Sequence, residues 1–443
     1  VAGALTAMRQ LATAVAARLA RLPRLAAPVA PHERRAVALA FACNFFLLAS
    51  YYILRPVRDT VATVVGTDRL QLLFTGTFAG TLLASPLYAM LLARVRLRRV
   101  LPGIFWFWLF NVVLFQQLFA SSAHSMRVAA AYYIWFSVSN LFMISLFWSL
   151  MVDMFTAAQA TRLFGLIAAG GSIGAIGGPL LTRLLVSRLH LGGMLLLAAA
   201  GLLVVIGLVY RLMREKQRLR ASGEEGQATT LDHGLPGNPF EGFGQLFSSR
   251  YMASQAAFVL LLTWANTVAY FLQTDVVAHA FASVEGRARA IADIDLIVNI
   301  CTALILIFGV GRLVQRFGVT LGLMLNPIIL LVAFVLAAIS PSLLMIQALQ
   351  VVRRVSQYAI ARPSREMCFT VVDQGSRYKA KNVIDTVVYR FGDVSSAWIQ
   401  TGLRAAGAGI GGAVALGIGA CIAWGGVAGY AGRQYQQLRR QQP

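Results

Sequence analysis

Charge is scarce in this chain. Only 13% of its 443 residues are Asp, Glu, Lys or Arg, about half the share of a soluble domain, which excludes an ordinary water-soluble globule. Lysine is scarcer still, with only Lys216, Lys379 and Lys381. Four cysteines (Cys43, Cys301, Cys368 and Cys421) stand far apart with no CxxC pair, which excludes a disulfide framework and a zinc site. The five histidines are scattered, without HExxH spacing. No GxSxG, Walker or GxGxxG sequence follows a strand and opens a helix. No catalytic residue, metal or cofactor is therefore implied, and an enzyme is not expected.

What is present is apolar surface. Hydrophobic residues make up 58% of the chain and mean hydropathy is +0.69. A membrane-spanning helix takes roughly 20 apolar residues, so the length suits many spans and not a single-pass receptor. The apolar runs are continuous rather than alternating, which excludes a β-barrel. The runs cover 34–62, 70–93, 100–120, 127–155, 161–187 and 191–212, then 252–279, 288–314, 319–340, 342–372, 382–404 and 408–430. Glycines at phosphate-loop spacing, Gly170-Gly171-Ser172-Ile173-Gly174-Ala175-Ile176-Gly177-Gly178, lie inside one such run. Close helix packing accounts for them better than a phosphate loop.

The fold expected is all-α and integral to a membrane: about twelve spans in two pseudo-symmetric halves of six. Residues 1–33 form an amphipathic basic N-terminal segment, read as a transit peptide or an interfacial helix. The halves occupy 34–212 and 251–430, a linker 213–250 joins them, and 431–443 is a basic tail. Arginines gather in the even-numbered connections, at Arg94 to Arg99, Arg162, Arg211 to Arg220, Arg312 and Arg316, and Arg377 to Lys381. The positive-inside rule then puts both termini and the linker in the cytoplasm of a bacterial inner membrane. The net charge of +22 suits a bilayer with anionic headgroups, not a nucleic acid. A monomer is expected.

Six spans, a linker and six spans is the layout of major-facilitator transporters, whose first, fourth, seventh and tenth helices line a central cavity. Those four hold the polar groups here. The first carries Arg55-Pro56-Val57-Arg58-Asp59, the fourth Asp153, the seventh Asp275, and the tenth Arg362-Pro363-Ser364-Arg365-Glu366. The pattern Arg-Pro-x-Arg-acid occurs once in each half. A charge at a helix centre costs roughly 2.5–3.5 kcal/mol on insertion scales, so these groups face a cavity or a partner. One reading pairs each Arg with its neighbouring acid for packing. The other makes a site of guanidinium forks for phosphate or carboxylate. On the eleventh helix Asp385 and Arg390 lie five apart, a poor helical pair, so at least one needs a partner elsewhere; Asp393 follows. The substrate-binding candidates are Arg55, Arg58, Asp153, Arg362, Arg365 and Lys381. The coupling or charge-balancing candidates are Asp59, Asp275, Glu366, Asp385, Arg390 and Asp393.

At these residues the chain resembles the ATP/ADP translocase family, the nucleotide transporters of plastids and obligate intracellular bacteria. Tyr52-Ile53-Leu54-Arg55-Pro56-Val57-Arg58-Asp59 is similar to a motif near the end of that family's first span. Pro363-Ser364-Arg365-Glu366-Met367 and Lys379-Ala380-Lys381-Asn382-Val383-Ile384-Asp385 resemble its tenth-helix region, and Phe147-Trp148 leading to Asp153 its aromatic run. The resemblance implies exchange of ADP for ATP or nucleotide import, with key positions at Arg58, Asp153, Arg365 and Lys381. Arg stands at 58 and 365 where the family has Lys, offering a fork in place of a point charge. The expected function is secondary transport of an organic anion, nucleotides first. A proton-coupled carrier of another solute and a non-transporting membrane scaffold or sensor are the alternatives.

Overall fold

A computed structural model describes residues 29–94, 97–121, 125–221, 249–308, 310–372, 381 and 383–441. Residues 1–28, most of the linker (222–248) and Lys379 lie outside the described residues. Among the described residues all regular structure is helical. Lipid offers no partner to a backbone N–H or C=O, and a helix satisfies both internally.

In the N-terminal half, α1 is Arg34–Val65, α2 Leu70–Arg94, α3 Leu97–Ser121 and α4 Met126–Met154. The run Ala157–Ala221 is interrupted at His190, whose φ is 54°, giving α5 (157–189) and α6 (191–221). Local chemistry explains the ends. Gly66 leaves α1 at a φ of 89°, a backbone geometry open to glycine. Ser125 accepts from the Val128 amide at 3.4 Å to start α4. Thr156 and Gln159 cap α5 reciprocally, at 3.0 and 3.1 Å, as a capping box does.

In the C-terminal half, α7 is Arg250–Ala280 and α8 Val284–Phe308; α9 is Val310–Ile339, with a break at Gly318. The tenth helix, α10, joins Leu343–Ser356, a π-helical turn Gln357–Ala361, and Arg362–Cys368. The wide turn comes just before Pro363, which has no N–H to continue the α ladder. Another π-turn, Ile384–Val388, opens α11, which continues as Tyr389–Ala405. The last helix, α12, is Gly409–Gln441, so helix continues through most of the segment read as a tail; likewise α6 carries helix into the start of the linker.

Each half has its own hydrophobic core, one built mainly on α1, α4 and α6, the other on α7, α9 and α12. The outer surface is apolar: Leu83, Phe110, Leu184, Ile339 and Leu344 are all more than half exposed. That is the inverse of a soluble protein and the expected face toward lipid. Among the described residues, eight helical stretches are long and apolar enough to cross a membrane, one of them running through the break at His190. Helices α8, α10 and α11 are not among them, and they carry much of the buried charge described below.

Among the described residues the halves meet along α2–α11 and α5–α8 as well as around the end of α1. Trp398 of α11 donates to Thr75 of α2 at 3.1 Å, and Asn299 of α8 donates to the Ala175 carbonyl of α5 at 2.7 Å. Within the first half, α1 lies so close to α5 that a Cβ at Gly170, Gly174 or Gly178 would strike the backbone oxygen of Phe41, Phe45 or Ala49. The glycine run is thus a packing surface. Glu33 adds a clasp: it accepts from Arg162 at 2.8 Å and from Gln159 and the Ala30 amide at 3.0 Å. Burial alone would raise its carboxyl, but these donors outweigh that and hold it below the usual range.

Replacing Gly174 with Val is expected to cost about 1–3 kcal/mol, the usual penalty of overpacking. Gly177, on the same helix with nothing near its missing Cβ, accepts Ala without such a loss. Thermal unfolding of the two purified variants checks this contrast.

Candidate functional site

Between the halves lies a cavity of about 440 Å³ walled by α1, α2, α4, α7, α10 and α11. Its lining includes Arg55, Arg58, Arg353, Arg362, Arg365, Arg390, Asp385 and Asp393. Of the candidates read from the sequence, Arg55, Arg58, Arg362, Arg365, Asp385, Arg390 and Asp393 are brought together here. Both π-turns contribute to the lining, through Gln357, Tyr358, Ala361, Asp385 and Thr386. Such turns recur at functional sites because the extra residue re-aims side chains.

The charges are arranged in pairs. Asp59 is buried, accepts from Arg58 Nε at 2.9 Å, and has Arg55 Nε at 4.0 Å. Arg58 lies over the Tyr133 ring at 5.3 Å and the Phe136 ring at 5.9 Å, which adds cation–π attraction. Arg365 pairs with Asp385 at 2.8 Å, and Arg390 with Asp393 at 3.4 Å. Asp385 and Arg390 thus each find a different partner, as their five-residue spacing suggested.

The two Arg-Pro-x-Arg-acid motifs fare differently. Asp59 sits on its own motif's arginines. Glu366 does not: it pairs with Lys381, and both are substantially exposed. The acid that holds Arg365 is Asp385, from α11. Lys381 also lies 5.6 Å from the Phe369 ring. Asp153 lies away from the cavity lining and pairs with Lys216 of α6. Asp275 lies at the far end of α7, accepting from Thr67 at 3.3 Å.

Around the cavity, three buried charges among the described residues escaped the sequence reading. Asp295 of α8 is fully buried and pairs with Arg354 of α10, itself 3% exposed. Arg55 approaches the same carboxylate at 3.8 Å, so Asp295 joins an arginine of each half. The third is Arg353, beside Arg354. The signal was available, since any ionisable residue inside a span is a functional candidate.

Among the described residues, the cavity and the carboxylates behind it hold seven arginines, Arg55, Arg58, Arg353, Arg354, Arg362, Arg365 and Arg390, against four aspartates, Asp59, Asp295, Asp385 and Asp393. Guanidinium stays protonated in proteins, so positive charge is in excess. Aromatic side chains fill the remaining wall, among them Tyr51, Phe74, Tyr133 and Tyr270.

Polar contacts between the halves gather beyond Arg58, at the end where α1 finishes. Tyr270 donates to Asp59 at 3.1 Å, Arg287 to Thr63 at 3.2 Å, and His190 pairs with Glu285 at 2.9 Å. Arg404 lies 3.7 Å from Asp68. These contacts hold the halves together at that end. Arg362, the exposed arginine of the lining, lies toward the opposite one.

Breaking the Asp295 pairing tests the electrostatics directly. Asp295→Asn leaves Arg354 buried without its counter-charge and is expected to cost about 3–5 kcal/mol. Adding Arg354→Met is expected to recover much of that loss, measured by thermal unfolding of the single and double variants.

Comparison with known proteins agrees with this architecture. Among curated relatives, ADP,ATP carrier protein 1 of Chlamydia trachomatis serovar D is 22% identical over 442 residues, covering 85% of this chain and 83% of that protein. Among solved structures, a bacterial homologue of the iron transporter ferroportin in an inward-facing state superposes with a TM-score of 0.64 at 13% identity, covering 90% of this chain and 98% of that one. The nucleoside transporter NupG gives a TM-score of 0.61 at 13% identity, covering 91% and 98%. Residues 40–359 match the family model of the Major Facilitator Superfamily. With most of its length matched and two six-helix halves around a central cavity, this multi-pass membrane protein belongs to the Major Facilitator Superfamily.

Proposed function

We propose that this chain is a secondary transporter of organic anions, nucleotides first, working by alternating access in a bacterial inner membrane. The observation that carries the reading is the excess of arginine in the cavity between the halves. Uncompensated guanidinium groups away from water are costly, and an anionic solute supplies the missing charge. Arginine suits phosphate because its fork donates two parallel hydrogen bonds. The aromatic wall offers flat apolar surface on which a nucleobase can stack, as bases do on aromatic side chains. The likeness to proteins named as ADP,ATP carriers points the same way.

In this reading Arg58 reaches the anion from the N-terminal half and Arg365 from the C-terminal half. Asp59 and Asp385 hold these two forks in place. The positive-inside rule puts the beginning of α1 in the cytoplasm, so the cavity is reached from that side, with the pair Lys381–Glu366 at its mouth. Rocking of the halves would break Tyr270–Asp59 and the other contacts that join them at the far end, and close the mouth. Without an anion the crowded arginines repel one another as the cavity occludes, which favours exchange over return of the empty carrier. Asp275, which accepts from Thr67 of the other half, acts at the interface between the halves, whereas Asp153 and Glu366 are paired within their own halves outside the cavity lining.

The test is uptake of labelled ADP and ATP into proteoliposomes holding the purified protein. Arg58→Gln and Arg365→Gln are each expected to reduce uptake at least tenfold while leaving folded protein, a loss in line with a charge-assisted hydrogen bond worth about 1.5–3 kcal/mol. Arg365→Lys keeps the charge without the fork and is expected to lose only part of the activity. Normal transport by both Gln variants would make these arginines packing elements and overturn the anion site.

A further inference from the structure

Arg353 differs from the paired arginines around it. It lines the cavity, is 9% exposed, and among the described residues has no carboxylate within ion-pair distance. Arg55, Arg58, Arg354, Arg365 and Arg390 all have one. Its guanidinium is nevertheless held firmly. Nε and Nη2 donate to Gln350 Oε1 at 3.0 and 2.7 Å, and Nη1 donates to Asn266 Oδ1 at 2.8 Å. Gln350 is itself fixed by donating to the Ala269 carbonyl at 2.6 Å. Asp393, in the same lining, is engaged by Arg390 and by Thr267, which donates to it at 3.2 Å.

Both acceptors on Arg353 are neutral amides. They orient the guanidinium without cancelling its charge, and they leave an N–H on each Nη uncommitted. A carboxylate would fit where one amide stands: Asn266 Nδ2 is buried with no hydrogen-bond partner, so an oxygen in its place would forfeit no bond. The site therefore holds a positioned, un-neutralised cation at a wall of the cavity.

We infer that Arg353 is a substrate-binding residue, held by Gln350 and Asn266 as an open charge that receives an anionic oxygen of the transported solute. This rests on the anion reading of the cavity. It adds a cation outside the two repeated motifs, on the same helix as Arg365 but well along from it. The substrate chemistry it selects is a solute whose negative charges are spread over more than one group, such as a diphosphate, so that Arg353 and the motif arginines are engaged together.

Asn266→Asp tests this with little change of shape. The new carboxylate neutralises Arg353 in place, so the thermal midpoint should stay level or rise while affinity for ADP falls at least tenfold. Arg353→Gln should lose a similar factor, and gives the same reading if Asn266→Asp does not fold. Binding is measured on the purified full chain in detergent with ADP, pyrophosphate, inorganic phosphate and citrate as probes. Unchanged ADP affinity in a folded Asn266→Asp or Arg353→Gln protein would overturn the assignment and leave Arg353 a packing residue. If the unaltered protein binds citrate or pyrophosphate but not ADP, the nucleotide reading falls, and the same comparison on the anion that binds decides Arg353. Binding of none of the four overturns both.

Discussion

Asp295 is wholly enclosed by protein, with Arg354 of α10 against it and Arg55 of α1 at 3.8 Å. A lone carboxylate in that position would cost several kcal/mol, and so would either arginine without it. The two halves are thereby tied through one charge at the level of the cavity. The same constraint sets the rest of the site: lipid does not tolerate these charges, so they turn inward, and turned inward they need counter-charges. Asp59, Asp385 and Asp393 supply them for Arg58, Arg365 and Arg390. The arginines left over, Arg353 and Arg362, are the basis of the proposed anion site.

The proposed motion depends on how the halves are packed. Each half has a hydrophobic core of its own, and within the first half glycine lets α1 and α5 meet backbone to backbone. Between the halves, Phe271, Ala288 and Ala397 pack against the N-terminal core and Asp295 meets Arg55. Many of the remaining contacts are isolated hydrogen bonds and ion pairs, several of them partly exposed. Contacts of that kind are individually weak and can be exchanged for others. The halves are therefore suited to move as bodies about the cavity at their boundary.

Much of the fold was legible because the bilayer imposes a length and a composition on each span. The divisions near residues 190 and 318 were visible as polar or glycine interruptions, and the structure breaks its helices at His190 and Gly318. The cavity was legible where charge stood out from an apolar background in a repeated pattern, as at Arg55, Arg58 and Arg365. It was less legible where spacing alone was informative. Arg362, Arg365 and Glu366 repeat the spacing of Arg55, Arg58 and Asp59, yet Glu366 is drawn to Lys381 because α11 brings Asp385 to Arg365 instead. Asp153 has the right residue type on an expected helix, but it lies near the end of α4, within reach of Lys216. Sequence spacing defines faces of one helix; which neighbour covers a face is decided by packing between helices distant in the chain.

The central claim is that the cavity recognises its solute through negative charge. The most direct measurement is competition for uptake of labelled ADP in proteoliposomes by unlabelled ADP and by adenosine, which shares the base and ribose but carries no phosphate. The account predicts that ADP competes and adenosine at equal concentration does not. Equal competition by adenosine would show that the arginines serve the fold rather than the substrate, and would contradict the account.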